Sequence, residues 1–214
     1  MSNIPVPIET SARHVHLSEA DFKVLYGDNA SLTPTKQLSQ PGQYACKERV
    51  TIVGPKAEIK NVSILGPFRN DSQVEISMTD ARKVGVPGII RQSGLIEGTP
   101  GCRLIGPCGE LVMEKGVIVA KRHIHMTPSD ARRMHLKDND NVFVITQSFE
   151  RALIFADVVV RVNKNFALAM HVDTDEANAF AGEKNPQGVI LKLFEGNTYN
   201  LQAWADELLE GINR

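Results

Sequence analysis

No run of about 18 apolar residues occurs in this chain, so a membrane-spanning helix is not expected. The first residues lack a charged region followed by an apolar stretch, and a secretory leader is not expected either. Cysteine is scarce: Cys46, Cys102 and Cys108 form an odd set with no Cys-x-x-Cys spacing, which argues against a disulfide framework and for a reducing compartment. Aromatic residues make up 6%, and 24 Lys and Arg are balanced by 25 Asp and Glu with no basic stripe, so nucleic-acid binding by counterion release has no footprint. What is present is a chain of 214 residues, 42% hydrophobic, large enough to bury one or two cores.

Histidine is also sparse, yet five of the six fall into a repeated pattern. His-x-His occurs in Ser-Ala-Arg-His14-Val-His16-Leu and again in Ala-Lys-Arg-His123-Ile-His125-Met, an offset of 109 residues. In an extended segment alternate side chains share a face, so each pair presents two imidazoles together. Neutral imidazole is a ligand for zinc, copper, iron and nickel. A second repeat supplies a third donor: residues 74–81 align without a gap on 170–177 at an offset of 96, which places Glu75 opposite His171. The candidate sets are therefore His14, His16, Glu75 and His123, His125, His171. Three protein donors with a vacant position is the catalytic rather than the structural zinc arrangement. His135 has no such partner and reads as an ordinary exposed residue.

Each His-x-His is followed by a hydroxyl residue with an acid three positions on, Ser18 with Asp21 and Thr127 with Asp130, and Thr127 precedes Pro128. Both read as helix starts, so each half begins strand, His-x-His, short helix. Elsewhere short apolar or alternating runs at 50–53, 116–120, 142–145, 158–162 and 189–193 are bounded by Gly, Pro, Asn and Asp. Gly54-Pro55, Gly66-Pro67 and Gly106-Pro107 end strands. Many short strands with frequent turns suggest small barrels, and the lack of helix-length crossovers disfavours a doubly wound parallel sheet. Cys102 and Cys108 sit in Gly- and Pro-rich turns with no activating partner in view. Over 198–214, Leu201, Trp204, Leu208, Leu209 and Ile212 recur at helical spacing, predicting an amphipathic helix that docks on the body or on a second subunit.

The runs at 11–17, 38–43, 73–77, 122–126 and 170–178, in that order, resemble the PduL-type phosphotransacylase family, the phosphate propanoyltransferases, over residues 4 to 194. The resemblance implies two β-barrels with short capping helices, interleaved in sequence: residues 3–12 with 121–194 as one, residues 13–120 as the other, and an active-site cleft between them. It implies reversible transfer of a propanoyl or acetyl group between coenzyme A and inorganic phosphate. It also implies two zinc ions, one on His14, His16 and Glu75 and one on His123, His125 and His171. The same pattern singles out Arg69 as the phosphate-binding and catalytic arginine and Ser93 as a second phosphate contact, and it sets Gln43 near the site. Acyl-CoA and phosphate are the expected partners, with a second copy of the chain and a downstream acyl-phosphate kinase as candidates. Microcompartment members of the family often carry an N-terminal extension; here the first His-x-His comes by residue 14, so a cytoplasmic enzyme is expected. Three other readings compete: a zinc-dependent thioester hydrolase, a covalent route through a cysteine, and a non-catalytic metal-held module.

Overall fold

Alternation of buried and exposed positions, interrupted by turn residues, produces a mainly β protein, described here by a computed structural model over residues 4–148, 150–180 and 185–191. The helix expected over 198–214, together with residues 3 and 192–194 of the expected barrel, lies outside the described residues. In chain order the elements are β1 (Pro5–Thr10), β2 (His14–His16), α1 (Glu19–Tyr26), β3 (Pro34–Gln37), β4 (Tyr44–Val53), β5 (Glu58–Gly66), β6 (Gln73–Glu75), α2 (Met78–Val84) and β7 (Ile90–Arg91). Then follow β8 (Cys102–Ile105), β9 (Glu110–Met113), β10 (Val117–Ala120), β11 (His123–Met126), α3 (Pro128–Arg133), β12 (Asn141–Thr146), β13 (Ile154–Val162), β14 (Ala169–Val172), α4 (Thr174–Ala179) and β15 (Gln187–Leu191). Among the described residues no helix is long and apolar enough to cross a membrane.

The strands sort into two sheets. One is a closed barrel in the order β1-β14-β11-β13-β12-β15. The other is a curled nine-stranded sheet, β7-β10-β6-β2-β5-β4-β8-β9, with β3 paired to β4. The expected pair of barrels is thus one closed barrel and one open half-barrel, and the reason is a single strand. β15 pairs with both β12 and β1 and so closes the ring, whereas β8 pairs with β4 and then with the β9 hairpin arm, leaving β9 and β7 as ends. Each sheet has its own core: Val15, Phe22, Leu25, Ile52, Ile64 and Leu104 in the open sheet, and Val6, Ile124, Met126, Val144, Val160, Met170 and Phe180 in the barrel.

The internal repeat is legible in the pairing register. β2 lies between β5, parallel, and β6, antiparallel, with His14 opposite Ser63 and Glu75. β11 lies between β13, parallel, and β14, antiparallel, with His123 opposite Val159 and His171. β6 then pairs parallel with β10 (Val74 opposite Val117), as β14 does with β1 (Met170 opposite Ile8). Ile8 and Val117 are 109 residues apart, the same step as His14 to His123. β1 and β10 are therefore equivalent strands, and each precedes the His-x-His strand of the other sheet. The chain passes from one sheet to the other at residues 11–13 and again at 121–122.

Two local devices recur. Asn61 in β5 and Asp157 in β13 have left-handed backbone, φ 58° and 54°, and each marks an extra residue against its partner strand. Asn and Asp tolerate that conformation better than other non-glycine residues, and the bulge sharpens the strand's bend. Among the described residues the four helices each begin directly after a strand that carries candidate donors, capped by Ser18, Ser77, Thr127 and Asp173, each accepting from the backbone N–H three residues on. A cap of this kind contributes about 1 kcal/mol and ends the strand at a defined residue.

Candidate active site

The cross-strand register brings the six donors into two groups, His14, His16, Glu75 and His123, His125, His171, and within each group the donor atoms lie within 4.8 Å of one another. His14 Nε2 stands 3.6 Å from Glu75 Oε2, and His16 Nε2 stands 3.9 Å from Glu75 Oε1. In the barrel group the ring centroids are 4.6 Å (His123–His125), 4.9 Å (His125–His171) and 5.2 Å (His123–His171) apart. Both groups line one cleft of about 620 Å³ that also contains Arg69, Ser93, Gln43 and Arg161.

The first histidine of each pair is tethered in the same way. His14 Nδ1 lies 2.8 Å from the Ala12 carbonyl oxygen and His123 Nδ1 lies 2.8 Å from that of Lys121, so in the neutral ring Nδ1 carries the proton and Nε2 is left as a free donor. The second histidine of each pair has a buried Nδ1, on His16 and His125, with no hydrogen-bond partner among the described residues. Buried polar atoms are nearly always satisfied, and an orphan on each of two equivalent imidazoles fits a missing cation. The electrostatics agree. Burial pushes His123 down to about 4, His125 to about 2 and His171 to about 4, the neighbouring imidazoles and Arg161 adding to the effect at His125, so all three are neutral near pH 7. In the other group burial opposes charge, but Glu75 still raises His14, and His14 and His16 hold the Glu75 carboxyl well below its usual range despite its burial. His16 is pushed well below by burial and by the charges of His14 and Arg69. Neutral imidazoles with one carboxylate suit zinc or a similar divalent ion, and three donors per group leave a position open.

Arg69 reaches the first group through a chain of hydrogen bonds. Its Nη1 donates to Ser93 Oγ (2.8 Å), and Ser93 Oγ donates to Glu75 Oε1 (2.8 Å). Gln73 Nε2 donates to the same Glu75 oxygen (2.6 Å) and to Ser93 Oγ (2.9 Å), while its Oε1 accepts from Gly94 N (2.7 Å). Glu75 Oε1 is thus occupied, and Oε2 faces His14. The Arg69 backbone N–H is fixed to the Leu17 carbonyl at 2.9 Å, just past the first His-x-His. Burial lowers the Arg69 pKa and the Arg161 charge adds to that, with Glu75 opposing.

The barrel group is reached from the open sheet by the turn between β3 and β4. Gln40, 4% exposed, donates to the Ala167 carbonyl at 3.0 Å, accepts from Ala167 N at 3.2 Å, and stands 3.4 Å from His171 Nε2. Ser39 donates to Glu9, whose Oε2 is 3.8 Å from His171 Nδ1. Gln43 lines the cleft at the end of the same turn.

Sequence reasoning passed over Gln40, Gln73, Arg161 and Phe166. Gln73 had a signal, since it shares the Glu75 face of β6 and stands opposite His16. Arg161 stands opposite His125 on β13, where the repeat would place Leu65 in the other sheet, so the duplication concealed it. The cysteines are elsewhere: none lines the cleft, burial pushes Cys46 up to about 11 and Cys102 to about 12, and Cys108 is exposed with its thiol toward the Tyr26 carbonyl. His135 is exposed, beyond α3, at φ 55°.

The sequence profile of the phosphate propanoyltransferases matches residues 7–183, a span that holds both donor groups, Arg69 and Ser93. The chain belongs to the phosphate propanoyltransferase family. Proteins named phosphate propanoyltransferase are similar over most of its length: one from Thermotoga maritima is 60% identical over 172 residues, covering 80% of this chain and 82% of that one. One from Sebaldella termitidis is 53% identical over 186 residues (86% and 87%), and one from Citrobacter freundii 52% over 187 (87% and 88%). Phosphate propanoyltransferases are acyl-transferring enzymes, and the cleft between the two sheets of this member gathers both candidate donor groups with Arg69 and Ser93.

Proposed function

We propose that this chain reversibly transfers a propanoyl or acetyl group between coenzyme A and inorganic phosphate in the cleft between its two sheets. One zinc ion would be held by His14, His16 and Glu75 and a second by His123, His125 and His171. The observation that carries the reading is the Arg69–Ser93–Glu75 chain, which ties a cation suited to phosphate directly to one donor group. On this reading residues 3–12 with 121–194 form one domain and 13–120 the other, and each contributes one donor group to the shared cleft.

The guanidinium fork of Arg69 binds two phosphate oxygens at once, and Ser93 Oγ would support a further one by turning its single proton from Glu75 to the phosphate. Phosphate is already ionised near neutral pH, so no residue has to remove a proton before attack. Its free oxygen forms the new C–O bond at the thioester carbonyl carbon, the C–S bond breaks, and coenzyme A leaves as the thiolate. When bound, zinc supplies the positive charge that a departing thiolate and a carbonyl oxygen call for. Arg161, which lines the same cleft and whose charge is felt at Arg69, adds to the field that draws in a polyanionic substrate. Lys36 and Lys121 on the same walls suit the phosphates of coenzyme A.

Direct attack is favoured over an acyl-cysteine because the three thiols lie away from the cleft and two are held protonated by burial. A thioester hydrolase has no use for a phosphate cradle, and a module that uses metal only as a fastener would present four donors rather than three. The test is release of coenzyme A from acetyl-CoA and propanoyl-CoA with and without phosphate, on protein of known zinc content. Phosphate-dependent release with acyl phosphate as product is expected; equal release without phosphate makes the protein a hydrolase.

A further inference from the structure

Among the described residues lining the cleft, Phe166 is the one aromatic hydrocarbon side chain, and it belongs to neither hydrophobic core. Its half-buried ring lies over His125, centroids 4.1 Å apart at 40°, with the Arg161 guanidinium 6.0 Å from its centre. The backbone that carries the ring is anchored on both sides. Phe166 N donates to the Asn163 carbonyl at 3.1 Å, and the next residue, Ala167, is bonded in both directions to buried Gln40 across the cleft. An aromatic ring on the cleft wall, outside both core clusters, has a surface to offer a ligand.

On the acyl transfer proposed above, phosphate and the acyl tail are attached to the same carbon. Arg69 and Ser93 belong to the open-sheet part of the chain and Phe166 to the β13–β14 turn of the barrel, on the same cleft, so with phosphate held at the first pair a tail directed away from it would meet the Phe166 wall. We infer that the Phe166 ring is the wall against which the acyl tail lies, and that it sets the chain length the enzyme accepts. A rigid ring gains contact with a two- or three-carbon group and is overfilled by a longer one. A methylene changes kcat/KM by roughly 10- to 200-fold in a fitted apolar pocket, so one side chain suffices to set the preference.

The experiment compares kcat/KM for acetyl-, propanoyl-, butanoyl- and hexanoyl-CoA at saturating phosphate in the native chain and in Phe166→Leu, Phe166→Ala and Phe166→Trp, with zinc content measured for each. Leu and Ala are expected to raise the butanoyl-to-acetyl ratio by about tenfold or more, and Trp to lower the propanoyl-to-acetyl ratio, all at unchanged zinc content. Ratios within about twofold of the native chain in the folded variants, with a common fall for every substrate, overturn the inference and make the ring a support for His125 or for pantetheine. Loss of zinc in the variants overturns it in the same direction. If Ala does not fold, Leu and Trp decide, because they move the ratios in opposite senses. Absence of phosphate-dependent release in the native chain overturns the proposed function itself, and the inference with it.

Discussion

A single carboxylate separates the two donor groups: the repeat places Glu75 where the barrel has His171, and only the first group is linked to Arg69. Replacing Glu75 with Gln removes both a donor and the negative charge that raises the His14 pKa against its burial. Elemental analysis of Glu75→Gln is expected to show about one zinc per chain, with the barrel group still loaded; two would remove Glu75 from the donor set. Arg69→Ala is expected to lower turnover by about a hundredfold or more at unchanged zinc, as for loss of a preorganised charge-stabilising group, and near-native turnover would remove its role. Acid acts on the barrel group. His123 and His171 titrate near 4 when folded, against about 6.5 in an unfolded chain, so between those values the unfolded state binds more protons. Chelator-treated protein is therefore expected to lose thermal stability as pH falls from about 6.5 to about 4, and a melting temperature flat across that window would contradict the burial of these neutral rings. The donors were legible because histidine is rare here and its spacing repeats. Gln40 and Arg161 were not, because a glutamine or arginine at a cleft looks in sequence like any solvated one.

At the level of strands and helices, the ligand strands are too short for periodicity to reveal. β2 and β6 are three residues each and buried at every position, so no alternation exists to read; the motif and the following cap marked them instead. Longer elements were read from their pattern, as in β12, where buried and half-buried positions alternate through Asn141–Thr146. The paired bulges at Asn61 and Asp157 escaped notice because an Asn or Asp in a strand signals a turn as readily as a bulge. Each of these residues holds a left-handed conformation that costs a residue such as alanine about 1–2 kcal/mol. Asn61→Ala is expected to lower the melting temperature by a few degrees while Asn61→Gly stays near native. Equal melting temperatures for the two variants would mean that the bulge relaxes without strain.

For the molecule as a whole, the exchange of β1 and β10 makes each sheet depend on the other's stretch of chain. A chain shortened to start at residue 13 keeps every candidate metal donor and Arg69 but lacks β1, which leaves β14 and β15 with open edges in place of a closed barrel. Such a chain is expected to associate in gel filtration and to lose the cooperative unfolding of the barrel by circular dichroism; a monomer with native unfolding would show that closure is dispensable. The fold class was readable from strand lengths and turns, and the crossing of the chain from the family resemblance. The openness of the second sheet was not, because it turns on whether one strand finds a partner on its far side, which is a matter of distant pairing rather than of local pattern.

The exchanged strand also faces a problem of timing. β1 leaves the ribosome well before its partners, which begin only at Ala169 and Gln187. At about 5–20 residues per second, β1 waits roughly ten to forty seconds with its backbone groups unmatched. Pro5 and Pro7 lie in this strand, opposite Val189 and Gln187. Proline is a poor choice inside a sheet, but a nascent strand that lacks two of its N–H donors is a poor template for a neighbouring chain. What weakens β1 slightly in the finished barrel guards it during synthesis.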